Sequence, residues 1–300
     1  MSYSFHGLSL RVSAPDEVRR AFHARFAALP SDGNGPPDIL FEVHDDPLAR
    51  PEGARTVYEP PLGEVVYDDG RDLLYLEHGN LRVLCEPAAG RVRFSASSLE
   101  GEDLWFLSHP LLSVPLMELL KRRGLFGVHA AGASLDGRAL VLAGTSGSGK
   151  STLSVALARA GFGFLGDDTL FLDGRHVLAF PDEIDLTEES VSFFPDLQVN
   201  PAPAGWRKRQ LRADTTRIVW ESEPAVLVFP RVSGRPRSEL LPIDAGEALL
   251  ELAPNVLLTE PASSQAHFDA LAGLARASRC YRLETGTDLD EAVGLLRELM

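Results

Sequence analysis

The sequence predicts an α/β fold with a largely parallel sheet, preceded by a small, mixed, strand-rich region. Three observations carry this. Before about residue 100, short apolar runs are separated only by turn signals. From Leu125 onward, strand-like runs alternate with helical spacing. Between them in character stands the run Ala139-Leu140-Val141-Leu142-Ala143, which enters a glycine-rich stretch and is followed by a helical pattern. We therefore expect a region over 1–100 and a second domain over 101–300.

The 300 residues are 44% hydrophobic and 24% charged, which excludes wholesale disorder. The net charge of −14 opposes binding to nucleic acid or an anionic membrane. Cys85 and Cys280 have no CxxC spacing. Two isolated thiols form neither a disulfide framework nor a zinc site, and they fit a reducing, cytoplasmic compartment. The opening residues lack a basic stretch followed by an apolar one, so no signal peptide is expected. Leu104 to Met117 is broken by Ser108, His109, Pro110 and Pro115, so no membrane span is expected.

In chain order, Leu8, Leu10 and Val12 alternate as in a strand. Val18, Phe22 and Phe26 have helical spacing over Asp16 to Leu29, ended by Pro30 and Ser31-Asp32-Gly33. The runs ILFEV, EVVY, DLLYLE, LRVLCE and RVRFSA read as an antiparallel meander from Ile39 to Ser95. Pro110 to Arg123 reads as a helix stopped by Gly124. Asp136-Gly137 and Asp173-Gly174 read as hairpin turns. Asn200 to Gly205 reads as a loop, followed by a basic cluster of Arg207, Lys208, Arg209 and Arg212. The C-terminal part reads as helix, strand, helix, with Phe268, Leu271 and Leu274 on one buried face.

The stretch Gly144-Thr145-Ser146-Gly147-Ser148-Gly149-Lys150-Ser151-Thr152 fits the phosphate-loop pattern GxxxxGK[ST]. Glycines let successive backbone N–H groups converge on phosphate oxygens without Cβ clashes. Lys150 would reach the β- and γ-phosphates, and the Ser151 hydroxyl would ligate Mg²⁺. The helix predicted to follow places its positive end at the phosphates. These residues make ATP and Mg²⁺ the expected cofactors. After the helix, the apolar run ending in Gly166 delivers Asp167 and Asp168 to the same end of the sheet. Phosphoryl transfer uses one carboxylate at the metal and often another to take the proton of the nucleophile.

The order His129-Ala130-Ala131, GTSGSGKST, Gly166-Asp167-Asp168 and then a hairpin resembles the catalytic domain of HPr kinase/phosphorylase and its shorter HprK-related kinase relatives. Phosphoenolpyruvate carboxykinases share this order and fold. The resemblance covers about Leu111 to Leu258. It implies a phosphate-loop kinase domain. It implies Asp167, Asp168, His129 and Lys150 as catalytic residues, and Ser151 and Asp168 as metal-side residues. It further implies a peptide or small protein bearing a serine as substrate. The sequence departs from the family in lacking its second, glycine-rich signature. Glu183 and Asp185 stand in that region and are further candidate metal-site acids. Arg207, Arg209, Arg231 and Arg235 are candidates to stabilise the transferring charge. Two other functions stay open at this point, a small-molecule (metabolite) kinase and a non-catalytic nucleotide-binding protein.

Overall fold

The computed structural model describes residues 1–31, 33, 35–58, 64–96, 99, 103–201, 207–212, 214–256, 259 and 261–300. Asp32 of the expected helix stop, the boundary position near residue 100, most of the expected loop beyond Pro201, and Leu258 lie outside the described residues. The protein is a mixed α/β structure with several sheets. Contacts divide it into two units, the first being Met1–Arg123 with the short segment around Thr259. Among the described residues no helix is long and apolar enough to cross a membrane.

The first unit contains β1 (Ser2–Phe5), β2 (Leu8–Ser13), α1 (Asp16–Phe26), β3 (Ile39–His44), β4 (Arg55–Tyr58), β5 (Glu64–Asp68), β6 (Leu73–His78), β7 (Leu81–Glu86), β8 (Arg91–Ala96), α2 (Asp103–Ser108) and α3 (Pro110–Lys121). Its strands form one sheet in the order β1-β2-β3-β8-β7-β6-β5-β4. The antiparallel meander holds for β5 to β8. It does not hold for β3, which pairs parallel to both β2 and β8. The reason is the connection: α1 lies between β2 and β3, and a helical crossover returns the chain in the same direction. Val18, Phe22 and Phe26 of α1 are buried, as their four-residue spacing requires. Phe22 lies 5.4 Å from Phe94 and 6.4 Å from Phe41 between ring centroids, so an aromatic cluster fastens the helix to the sheet.

This unit runs past residue 100 because α3 belongs to it. Glu118 and Lys121 are buried and paired at 2.8 Å. The Thr259 hydroxyl donates to Glu118 at 2.6 Å and accepts from Lys121 at 2.5 Å. Arg122 binds Glu118 at 2.9 Å and Asp72 at 2.8 Å. Every charge in this network has a partner, which buried charges require.

The second unit contains β9 (Phe126–Val128), β10 (Ala130–Leu135), β11 (Arg138–Ala143), α4 (Lys150–Arg159), β12 (Gly163–Gly166), β13 (Leu170–Leu172), β14 (Val177–Leu178), β15 (Ile184–Leu186), α5 (Glu188–Ser192), β16 (Arg209–Leu211), β17 (Glu221–Val232), β18 (Glu239–Ile243), α6 (Ala245–Leu252), α7 (Pro261–Ala277), β19 (Arg279–Thr285) and α8 (Leu289–Glu298). The expected largely parallel sheet is corrected here. Among the described strands of this unit, parallel pairing joins only β11–β17 and β17–β19, with one further parallel bridge between Phe164 and Ile218. The other described strand pairs of this unit are antiparallel. Hairpins are the cause: Asp136 and Gly137 adopt φ of 51° and 77°, the left-handed values of a tight turn between β10 and β11.

β11 and β17 are buried on both faces, which is why each reads as a continuous apolar run. Leu140, Leu142, Val226 and Val228 pack with Leu153 and Leu157 of α4 and Ala292 and Leu296 of α8. Val141, Leu227 and Phe229 pack with Leu252 of α6 and Leu271 and Leu274 of α7. Phe268, expected on the buried face of α7, is 41% exposed. His267 takes that place, four residues before Leu271, with Nε2 2.8 Å from the Gly127 carbonyl.

Gly166 ends β12 where the chain passes between neighbouring backbones. A Cβ there would lie 2.8 Å from both the Phe180 and Thr169 carbonyl oxygens. Gly166→Ala should destabilise the protein by about 1–3 kcal/mol, because backbone has to move. Gly273 of α7 has open space around its Cβ position. Gly273→Ala should be neutral or stabilising by up to about 1 kcal/mol. Urea unfolding of the two variants checks the pair.

Candidate phosphate and acid site

β11 leads directly into the glycine stretch and α4 leaves it. Gly144, Gly147 and Gly149 have φ of 151°, 83° and 97°, and a side chain at any of them would be strained. Gly149 is the N-cap of α4 and supplies no capping side chain. By contrast α5, α6 and α8 are capped by Thr187, Asp244 and Asp288. The first N–H groups of α4 thus have no capping side chain, and its ten residues align their peptide dipoles toward that end, an arrangement that suits an anion.

Thr145, Ser146 and Gly147 are exposed at the top of the loop, and Ser148 Oγ is buried without a hydrogen-bond partner. Lys150 is buried, and its ammonium donates to the carbonyls of Gly144 at 2.6 Å and Thr145 at 3.2 Å. Burial lowers its pKa, opposed by the negative charges of Asp168 and Asp167 and reinforced by Lys208. The expected nucleotide residue Thr152 turns its hydroxyl to Ser190 at 2.9 Å, which ties α4 to α5.

Sheet register gathers the remaining residues. Ala130 of β10 stands opposite Ala143 of β11, so His129 immediately precedes β10 beside the start of the loop. Gly132 of β10 stands opposite Gly166, and β12 runs in the same direction as β11. Asp167 and Asp168 therefore emerge at the sheet edge that carries the loop.

The two acids differ sharply. Asp167 is 3% exposed, whereas the Asp168 side chain is 60% exposed. Burial pushes the Asp167 carboxyl up to about 6. The nearby hydroxyls of Ser151 and Ser154 oppose that rise, and the charges of Asp168 and Asp185 add to it. Asp167 Oδ1 is buried with no hydrogen-bond partner. His129 Nδ1 is 2.9 Å from the Asp168 carbonyl and 3.2 Å from its carboxylate. Both of those groups are acceptors, so Nδ1 carries the hydrogen and donates it. The imidazole thereby fixes the Asp168 side chain.

Asp185 of β15 lies close enough to act on Asp167, while Glu183 pairs with Arg212 at 3.6 Å. Among the candidate arginines, Arg209 faces Glu188 at 3.6 Å, Arg231 faces Glu251 at 3.4 Å and Arg235 faces Glu239 at 3.7 Å. Arg207 is exposed. Of the basic cluster it is Lys208 that acts on Lys150. Ser154 is the site residue that sequence reasoning missed. Its spacing of three from Ser151 puts both on one side of α4, and that was the available signal.

The site also fits a magnesium ion. Among the described residues no three His, Cys, Asp or Glu side chains converge as a metal cluster. Mg²⁺ does not require one, since it is held by one or two carboxylates with substrate phosphates and water. The unpartnered Asp167 oxygen beside the Ser151 hydroxyl supplies that kind of donor set.

A carboxyl protonated more readily in the folded than in the unfolded chain loses stability as pH rises. The loss begins near the ordinary carboxylate value and is complete above about 6. Asp167→Asn removes it. The variant should match the parent at pH 4 and exceed it by about 1–3 kcal/mol at pH 8. Urea unfolding across that range measures the difference, and an equal gain at both pH values would count against a buried charge.

No protein-family model matches this sequence, and no curated protein matches it. Among solved structures, the Hpr(Ser) kinase/phosphatase from Coxiella burnetii is similar over 57% of this chain and 94% of that chain. The identity is 13% and the TM-score 0.28. At this distance the likeness speaks to neither mechanism nor substrate.

Proposed function

We propose that the protein is an ATP- and Mg²⁺-dependent kinase that transfers the γ-phosphoryl group to a hydroxyl, namely a serine of a peptide or small protein. The observation that carries this reading is a buried carboxylate with an unpartnered oxygen, Asp167, set beside an uncapped phosphate loop. A structural domain gains nothing from a buried, unsatisfied acid at such a place. The serine acceptor is taken from the resemblance of the motif order to HprK-related kinases.

Each residue then has a task. The loop glycines and the N-terminus of α4 hold the phosphates, and the Lys150 ammonium moves from the Gly144 and Thr145 carbonyls to phosphate oxygens. Ser151 and Asp167 would hold the metal, which would supply positive charge to neutralise the phosphates. The sequence-based expectation placed Asp168 at the metal; the adjacency of Asp167 to Ser151 favours Asp167 instead. Asp168 is exposed and oriented by His129, so it accepts the proton of the attacking hydroxyl. The hydroxyl oxygen bonds to the γ-phosphorus, the bond to the β–γ bridging oxygen breaks, and ADP leaves. Catalysis is positioning and charge neutralisation.

The test is transfer of label from γ-³²P-ATP with Mg²⁺ in desalted lysate of the source organism, with and without its metabolite fraction. A labelled protein or peptide is expected. Asp168→Asn should keep ATP binding and lose about 10²-fold or more of the transfer rate. Label confined to the metabolite fraction would refute the peptide acceptor. ATP binding with no transfer to anything would refute the kinase.

A further inference from the structure

The acids and His129 occupy one side of the phosphate loop. The strand order is β12-β10-β11-β17-β19, and these groups enter from β10 and β12. Under the proposed function, on which this inference rests, the γ-phosphate faces that side. The rest of the nucleotide must leave across the other neighbour of β11, which is β17. Strands are about 4.8 Å apart, so the ends of β17 and β19 lie about 5 and 10 Å from β11. A triphosphate chain spans that distance.

Val232, the last residue of β17, is 65% exposed. Its Cγ2 lies 3.5 Å from where a Cβ on Gly149 would sit, so it stands against the glycine loop. Exposed apolar side chains on a rigid strand end are suited to the face of an aromatic base. The adjoining turn is held firmly. Ser233 donates both its N–H and its hydroxyl to the Thr285 carbonyl, at 3.0 and 2.9 Å. The Thr287 N–H donates to the Arg235 carbonyl at 2.9 Å, and the Gly286 N–H to Ser238 Oγ at 2.9 Å. A Cβ on Gly286 would fall 2.5 Å from the Arg237 carbonyl carbon, so this packing admits glycine alone. A surface ordered before binding loses little entropy on binding.

We propose that the C-terminal ends of β17 and β19 seat the nucleoside, with Val232 as the apolar platform for its base. This makes the preference for a nucleotide over bare polyphosphate a property of β17. It also places Arg235, 68% exposed, at the nucleoside end of the ligand and not at the transferring phosphate.

Calorimetric titration of the full chain with Mg-ATP and with Mg-tripolyphosphate tests it. Val232→Asn should weaken ATP binding about five- to tenfold and leave tripolyphosphate within about twofold. Equal losses for both ligands, or no loss for either, would overturn the assignment. Val232→Trp gives a second readout. Its emission should change with ATP and not with tripolyphosphate, and emission unmoved by ATP would overturn the seat. If the unmodified chain bound neither ligand, the phosphate-loop reading would fail and this inference with it. Tripolyphosphate binding with an insensitive Val232 would sink only the nucleoside seat.

Discussion

The buried carboxylate of Asp167 is the constraint around which the second unit is built. A carboxyl out of water resists ionisation, and this one is left with an unpartnered oxygen. Gly166 brings the chain between the backbones of Thr169 and Phe180 immediately before it, with no room for a Cβ. The hydroxyls of Ser151 and Ser154 of α4 lie near enough to act on it. The core beneath, shared by β11, β17, α4 and α8, fixes the spacing between helix and acid. Folding therefore tolerates an unfavourable charge at the place where a cation and phosphates would compensate it.

Neighbouring residues in the chain have opposite environments for the same reason. Asp167 turns into the core side of the sheet edge and Asp168 turns out to solvent, where His129 holds it. Two like charges so close hinder each other's ionisation. Under the proposed function, these different surroundings would separate their roles, one toward the metal and one toward the acceptor.

The first unit depends on a different kind of order. Its sheet is fastened by aromatic packing under α1 and by a fully paired ionic network around Glu118. Buried ion pairs add little net stability, but removing one partner is costly, so they fix one arrangement against its alternatives. The segment at Thr259 is held in place by that network.

The local structure around the candidate site was legible in the sequence. The apolar run, the glycines, Lys150, Ser151 and the adjacent acids define a strand, a loop and a return strand by short-range spacing alone. Hairpin turns at Asp136-Gly137 and Asp173-Gly174 were equally plain, since turn conformation is set by the residues in it. What required tertiary structure was everything decided by pairing at a distance. Strand direction at β3, the mixed pairing of the second sheet, and the exchange of Phe268 for His267 all follow from which partner lies alongside. So do the engagement of Thr152 by Ser190 and the carboxylate partners of the arginines. Above all, no sequence pattern distinguishes Asp167 from Asp168. Burial separates them, and burial belongs to the packed whole.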